Sequence, residues 1–343
     1  MSSKINLIFR NNMNDQLNKI KEKNKNIRIW SYSKLGTFNQ CPRGYYYSYV
    51  DKKNQTQNIY SIIGEQIHET LQELYEDKTD VLDKGRFDKA FEMCSILGID
   101  FPVSQYDIAG NYKRDIDNFY KYYKRFPTEE GKQFICELGF ILKVSEIDYI
   151  IGYIDLLILN PDGTCEIWDF KTSSLFKDKK LLSAGHQLIL YKLAIEQLYG
   201  IPVTKVGWEM VKYVSVKIGK NKEKNGLQGR NWVEKCSSQI KTLLKKEVGD
   251  EAIAELMLAK AVADNTIESL PQSVQDQINI RIYRQEYNVT QELIDEFWSY
   301  TKGTIDTIES KEEISDEFPK KCDQFFCSNL CGFRRDYCNG EEN

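Results

Sequence analysis

No stretch of about 18 consecutive apolar residues occurs in the 343-residue chain, so it offers no candidate membrane span. The lysine- and asparagine-rich start lacks the apolar centre of a secretion signal. A cytoplasmic setting is therefore the expectation, and the Lys-, Asn- and Tyr-rich composition hints at a bacterial or bacteriophage-infected cell. Positive charge is not in excess either: 47 Lys and Arg stand against 51 Asp and Glu, a formal net charge of -4. The chain as a whole does not advertise a polyanionic partner, and any nucleic-acid surface must be local. No internal repeat of solenoid length is present. Histidine is nearly missing, with two residues in all, His68 and His186.

What is present is ordinary for a globular protein. Hydrophobic residues make up 41% and charged residues 29%, and the length suffices for one large domain or two. Nine cysteines in a chain without secretion signals read as metal or cluster ligands, or as buried thiols, sooner than as a disulfide framework. Four of them, Cys322, Cys327, Cys331 and Cys338, crowd near the C-terminus.

Residues 1–30 read as a loosely attached N-terminal arm or helix, with Met13, Leu17 and Ile20 in weak helical register. Ser33 is the expected N-cap of a helix carrying Leu35 and Phe38, which Cys41-Pro42 interrupts. Ile63, Ile67, Leu71 and Leu74 form an amphipathic stripe with His68 beside it. Residues of about 76–130 and 232–310 read as helical insertions. Strands are expected over 134–142 and 149–159, a helix over 183–199, a strand pair or one bent strand over 203–216, and a basic loop over 217–230.

The most informative stretch runs from Gly152 to Lys171. Asp155 precedes an apolar run, Asn160-Pro161-Asp162-Gly163 supplies turn chemistry, and Glu166 to Lys171 alternates again, which predicts a β-hairpin. Period-two geometry sets Asp169 and Lys171 on one face, opposite Trp168 and Phe170. If Asp155 meets them across the hairpin, two carboxylates and an ammonium converge. Mg²⁺ or Mn²⁺ suits such a set, held by Asp155, Asp169 and the backbone carbonyl of Phe170 beside a phosphodiester. Taken alone, an Asp-x-Lys triplet on a half-exposed strand is a solvated ion pair worth under about 1 kcal/mol.

The surrounding motifs carry a resemblance. Ser31-Tyr32-Ser33-Lys34-Leu35 through Cys41-Pro42, Gly64 to His68, Gly152 to Asp155, Asp169-Phe170-Lys171-Thr172, and Gln187 with Tyr191 occur in the order found in the PD-(D/E)XK nuclease superfamily. The likeness is to its RecB-like branch, which includes exonuclease V, AddB and the CRISPR-adaptation nucleases. It implies an α/β fold: a central mixed β-sheet of the restriction-endonuclease-like type flanked by helices. It implies Asp155, Asp169 and Lys171 as catalytic residues, His68 as a further metal ligand or shaper of the site, and Gln187 and Tyr191 touching DNA phosphate or the lysine. Glu137, on the strand before the hairpin, is a candidate for the family's first acidic motif.

The same branch implies that Cys41, Cys327, Cys331 and Cys338 hold a [4Fe-4S] cluster, with Cys322 as an alternative ligand, tying the two chain ends together. Three residues separate Cys327 from Cys331, where the branch more often has two. Zn²⁺ also accepts four cysteines and is the alternative. The expected organisation is thus an arm (1–30), a nuclease domain (31–321) and a C-terminal cysteine segment (322–343) packing with Cys41. The activity implied is a metal-dependent DNA exonuclease acting on free ends or single strands in recombination, repair or replication, with a helicase or recombinase partner. A catalytically silent iron–sulfur partner of a helicase and a CRISPR spacer-acquisition nuclease remain as alternatives. Basic segments at Lys177–Lys180 and from Lys212 to Lys224 are either local contacts for DNA phosphates or solvated loops, and tyrosines at 45–49 and 112–123 are candidates to stack on unpaired bases, although such aromatics are more often core.

Overall fold

The computed structural model describes residues 13–338. Seven strands make one mixed sheet: β1 (Arg28–Trp30), β2 (Gln133–Lys143), β3 (Asp148–Leu159), β4 (Cys165–Lys171), β5 (Val203–Ile218), β6 (Lys224–Gln228) and β7 (Ile278–Glu286). β3 runs antiparallel to β2 and to β4, β4 is parallel to β5, and β5 is antiparallel to β7. A strand has two edges. Ile150 of β3 pairs with Leu142 of β2 and with Trp30 of β1, so β1 occupies the edge that β3 also offers to β4. Val214 of β5 pairs with β7 and with β6, so β6 likewise occupies the β4 edge of β5. Both short strands therefore lie in line with β4, beyond its C-terminal Lys171. Between β4 and these two strands the sheet splits, leaving an opening between β3 and β5.

Helices cover both faces. They are α1 (Met13–Lys23), α2 (Tyr32–Gln40), α3 (Ile59–Tyr75), α4 (Lys84–Ile96), α5 (Ile108–Tyr122), α6 (Asp178–Tyr199), α7 (Trp232–Val248), α8 (Glu251–Asp264), α9 (Gln291–Glu309) and α10 (Gln324–Asn329). One core joins α3, α4, α5, α7 and α8 to Leu156, Ile158, Trp168 and Phe170 of the hairpin. The other joins α2, α6 and α9 to Leu157, Leu159, Cys165 and Ile167. Alternation along the hairpin strands thus feeds successive side chains to opposite cores. In α3 the stripe Ile63, Ile67 and Leu71 is fully buried, each residue contributing about 1.5–3 kcal/mol. Its start is fixed by Asn58, whose side chain accepts the N–H of Ser61 at 3.1 Å. The restriction-endonuclease-like α/β fold implied by the sequence is present.

Several local expectations change. Ser31, not Ser33, caps α2, accepting the N–H of Lys34 at 3.1 Å. The sheet begins before residue 31: Arg28 forks onto Asp148 at 2.7 Å through both Nε and Nη2, and Nη1 reaches Glu309 at 2.7 Å. The stretch 232–310 is not all helix, because Ile278–Glu286 forms β7, whose alternating Ile278, Ile280 and Ile282 are buried against β5. The 217–230 segment is not all loop, since Lys224–Gln228 pairs as β6. Residues 203–218 form one strand, resolving the choice between a pair and a single bent element. Tyr45, Tyr47 and Tyr112 are buried in the cores, the commoner of the two uses open to them, and are not free to stack on bases. Among the described residues no helix is long and apolar enough to cross a membrane.

Candidate active site

The hairpin register builds the site. Leu156 pairs with Trp168 and Leu157 with Ile167, so one further step sets Asp155 directly across from Asp169. The β2 register brackets Glu137 opposite Asp155, between Cys136 with Leu156 and Leu138 with Ile154. Three acids, Glu137, Asp155 and Asp169, therefore lie in one row across three strands. The ladder does not continue through them: the Asp155 carboxylate accepts the backbone N–H of Phe170 at 2.8 Å. Because the N–H and C=O of one strand residue point to the same neighbour, the Phe170 carbonyl is also directed at the β3 side.

Asp169 is 1% exposed. Its Oδ2 lies 2.5 Å from Lys171 Nζ, and its Oδ1 is buried without a hydrogen-bond partner among the described residues. Desolvation drives its carboxyl upward, Lys171 opposes that and Asp155 reinforces it, leaving the group at about 6. For Lys171, desolvation works to lower the ammonium, but the Asp169 and Asp155 carboxylates outweigh it and the net shift is upward. Partial desolvation, then Asp155 and Glu76, push the Glu137 carboxyl up to about 7. Glu137 also adopts a left-handed backbone, φ 48°, a conformation that costs a non-glycine residue about 1–3 kcal/mol.

The opening in the sheet lets helices from both faces reach this row. From the α3 side, His68 Nδ1 comes to 3.4 Å from Asp155 Oδ2, and its ring meets Phe170 edge-on at 5.8 Å. Gly64 lies against Thr172, where a Cβ would stand 3.4 Å from Oγ1, an ordinary contact. From the α6 side, Gln187 Nε2 donates to Tyr191 Oη at 2.6 Å, one helical turn apart. Burial, then Asp169 and Asp155, hold the Tyr191 hydroxyl well above its ordinary value. It therefore remains a protonated donor facing the acids. Gly152 is required by Phe140, whose ring carbons Cζ and Cε1 would lie 2.9 and 3.0 Å from any Cβ at that position.

Tyr32 joins the site and was missed by sequence reasoning. Its hydroxyl donates to the Ser183 carbonyl at 2.5 Å, and burial, then Tyr300 and Asp169, raise it above its ordinary range. Its position inside the Ser31 to Leu35 motif was the available signal. His186 plays no part in the row; it is buried against Glu296, Phe297 and Tyr300.

Among the described residues no three His, Cys, Asp or Glu side chains are gathered tightly enough to hold a metal ion by themselves. That excludes a closed protein cage, not the chemistry of Mg²⁺, which uses one or two carboxylates together with waters and substrate oxygens. The partnerless Asp169 Oδ1, the adjacent Asp155 and the inward Phe170 carbonyl fit such a donor set. At the chain ends Cys41 and Cys331 line one cavity, but among the described residues the cysteines form no metal-binding group either. Burial raises the thiols of Cys331 and Cys338, and the neighbouring Cys327 and Cys41 raise both further. Cys322 is exposed and is not among the thiols acting on them.

A split mixed sheet with helices on both faces and an Asp–Asp–Lys row at the break defines the restriction-endonuclease-like class of nuclease. The chain belongs to the PD-(D/E)XK nuclease superfamily, whose family model matches residues 29–331. Membership indicates a nuclease; nucleases of this superfamily use Mg²⁺ or Mn²⁺, and the superfamily implies DNA as substrate. Among curated proteins none matches the chain.

Proposed function

We propose that this nuclease is an exonuclease of the RecB-like type, cutting DNA at free ends or on single strands in recombination, repair or replication. The observation that carries the reading is the register that sets Asp155 across from Asp169, with Lys171 2.5 Å from the latter. Asp155, Asp169 and the Phe170 carbonyl would hold the ion, with His68 bounding the site on the α3 side. When bound, Mg²⁺ or Mn²⁺ lowers the pKa of a coordinated water and offsets charge on the phosphoryl group. Lys171, tied to Asp169, orients the attacking water or steadies the phosphate. Tyr191, kept protonated, donates to a phosphate oxygen while Gln187 fixes its hydroxyl. Glu137 closes the acidic row on the β2 side, opposite Asp155.

Access supports an end or a single strand as substrate. Asp169 is 1% exposed and lies in a sheet opening approached by helices from both faces, so a flexible strand reaches it more readily than a rigid duplex. The spacing of Cys41, Cys327, Cys331 and Cys338 in the sequence, with Cys41 and Cys331 on one cavity, supports a [4Fe-4S] cluster clasping the chain ends, with Zn²⁺ as the competing occupant; its formation would have to draw the four thiols together, since as described they form no metal-binding group. End-labelled DNA with Mg²⁺ or Mn²⁺ tests the activity: wild-type protein should shorten it from the ends, and Asp169→Ala and Lys171→Ala should not. Equal degradation by all three would refute the site. For the cluster, anaerobically purified protein should be brown; stoichiometric zinc without iron would overturn it.

A further inference from the structure

We propose that Lys212 binds a backbone phosphate of the DNA strand adjacent to the one being cut. The proposal deepens the nuclease reading and rests on it. Three registers isolate this residue. β4 ends at Lys171 opposite Met210, and β6 begins its pairing at Tyr213. On the other edge β7 advances one residue, from Tyr283 to Ile282, while β5 advances four, from Met210 to Val214. Val211 to Tyr213 are thus extra residues, and Lys212 sits at the centre of a bulge, in the opening of the sheet, two residues past the partner of the catalytic lysine. Bulges beside active sites re-aim side chains.

The surroundings of the ammonium point to a missing anion. Lys212 is half-buried, and its Nζ lies 4.9 Å from the centre of the Tyr112 ring. No carboxylate stands within ion-pair distance of it among the described residues. The acid acting on it, Asp115, is already occupied: Arg230 supplies its backbone N–H to Oδ1 at 2.8 Å and its Nη1 to Oδ2 at 2.6 Å. Desolvation lowers the Lys212 ammonium, Asp115 raises it and Arg230 lowers it, and the net direction is down. A cation left half-desolvated beside a second, paired cation is costly for the fold. The register ties the residue to the site: Met210, two residues before it on β5, is the partner of Lys171. A strand phosphate laid along the opening supplies the absent charge.

The test uses the full chain and a fluorescein-labelled oligothymidylate, with Ca²⁺ in place of Mg²⁺ so that binding is read without cleavage. Lys212→Met should weaken binding about tenfold, the loss of one charge-assisted contact. It should also reduce the dependence of log K on log salt by about 0.7, the value for one phosphate on a single strand. Lys212→Arg should retain the wild-type slope. In Mg²⁺ the Met variant should raise KM by more than it lowers kcat. Its thermal midpoint should be no lower than wild type, because an unpaired cation has been replaced by an apolar chain of similar length. An unchanged salt slope, or a lowered midpoint with unchanged affinity, would overturn the proposal and make Lys212 a structural residue. Wild-type protein that binds the oligonucleotide but fails to cut it refutes the nuclease reading and leaves the phosphate contact standing.

Discussion

The Asp155 carboxylate accepts the backbone N–H of Phe170 at 2.8 Å, taking the place that a main-chain carbonyl would occupy if the hairpin ladder continued. One side chain therefore ends the pairing of β3 with β4, opens the sheet and faces Asp169. Asp155→Asn keeps an acceptor for that N–H and loses the charge, whereas Asp155→Ala leaves a buried donor unpaired, a cost of about 1–3 kcal/mol. Thermal melts should place Asn near wild type and Ala below it, while isothermal titration with Mn²⁺ should find both defective.

The Asp169 carboxyl, raised to about 6, makes stability depend on pH in a definite direction. A folded-state value above the unfolded one means the native protein holds the proton more tightly. That contribution is full below pH about 4 and is lost as pH rises through 6; a shift of about two units corresponds to at most roughly 3 kcal/mol. Metal-free protein should therefore lose this increment between pH 4 and 6. Mn²⁺ should raise the melting temperature chiefly above pH 6, where the carboxylate is free to bind it. Asp169→Asn should flatten both effects.

Gly152 tests whether the hairpin is positioned by close packing. Gly152→Ala would drive a methyl group into the Phe140 ring at 2.9 Å, an overpacking that costs about 1–3 kcal/mol. It should also displace Asp155 three residues along the same strand. Activity and melting temperature should fall together, and Phe140→Leu introduced alongside should recover part of each. Loss of activity without loss of stability would argue against this packing account.

Cysteine substitutions should divide by location. Cys331→Ser, within the interacting thiol group, should lower the melting temperature and abolish visible absorbance near 400 nm. Cys322→Ser, at an exposed thiol, should change neither. Iron and zinc content measured on both variants distinguishes the two occupants.

Much of the core site was legible because hairpin chemistry is local. Asn160 to Gly163 fixes a turn, period-two alternation fixes which side chains share a face, and so Asp155, Asp169 and Lys171 could be brought together from spacing alone. Helix α3 was equally legible, since a 3.6-residue stripe carries its own signature. The strand β7 was not: Ile278, Ile280 and Ile282 alternate for only a few residues between long helical patterns, and it is pairing with a distant β5 that makes them a strand. The N-cap of α2 was misplaced by two residues because Ser31 and Ser33 are both competent caps, and only the packing of Leu35 and Phe38 into the core selects between them.

By itself, the sequence determined the hairpin, the order of the motifs and the family they mark, because each depends on residues within a turn or two of one another. Tertiary structure alone decided that β4 stops at Lys171 while β1 and β6 resume beyond it, and that the resulting opening admits His68 from one face and Tyr191 from the other. It also decided that Lys212, in sequence one more lysine in a basic stretch, lies in a bulge with no carboxylate at ion-pair distance among the described residues. These outcomes depend on registers between strands far apart in the chain. Such registers are set by which buried faces fit together, a property of the assembled core that no local window contains.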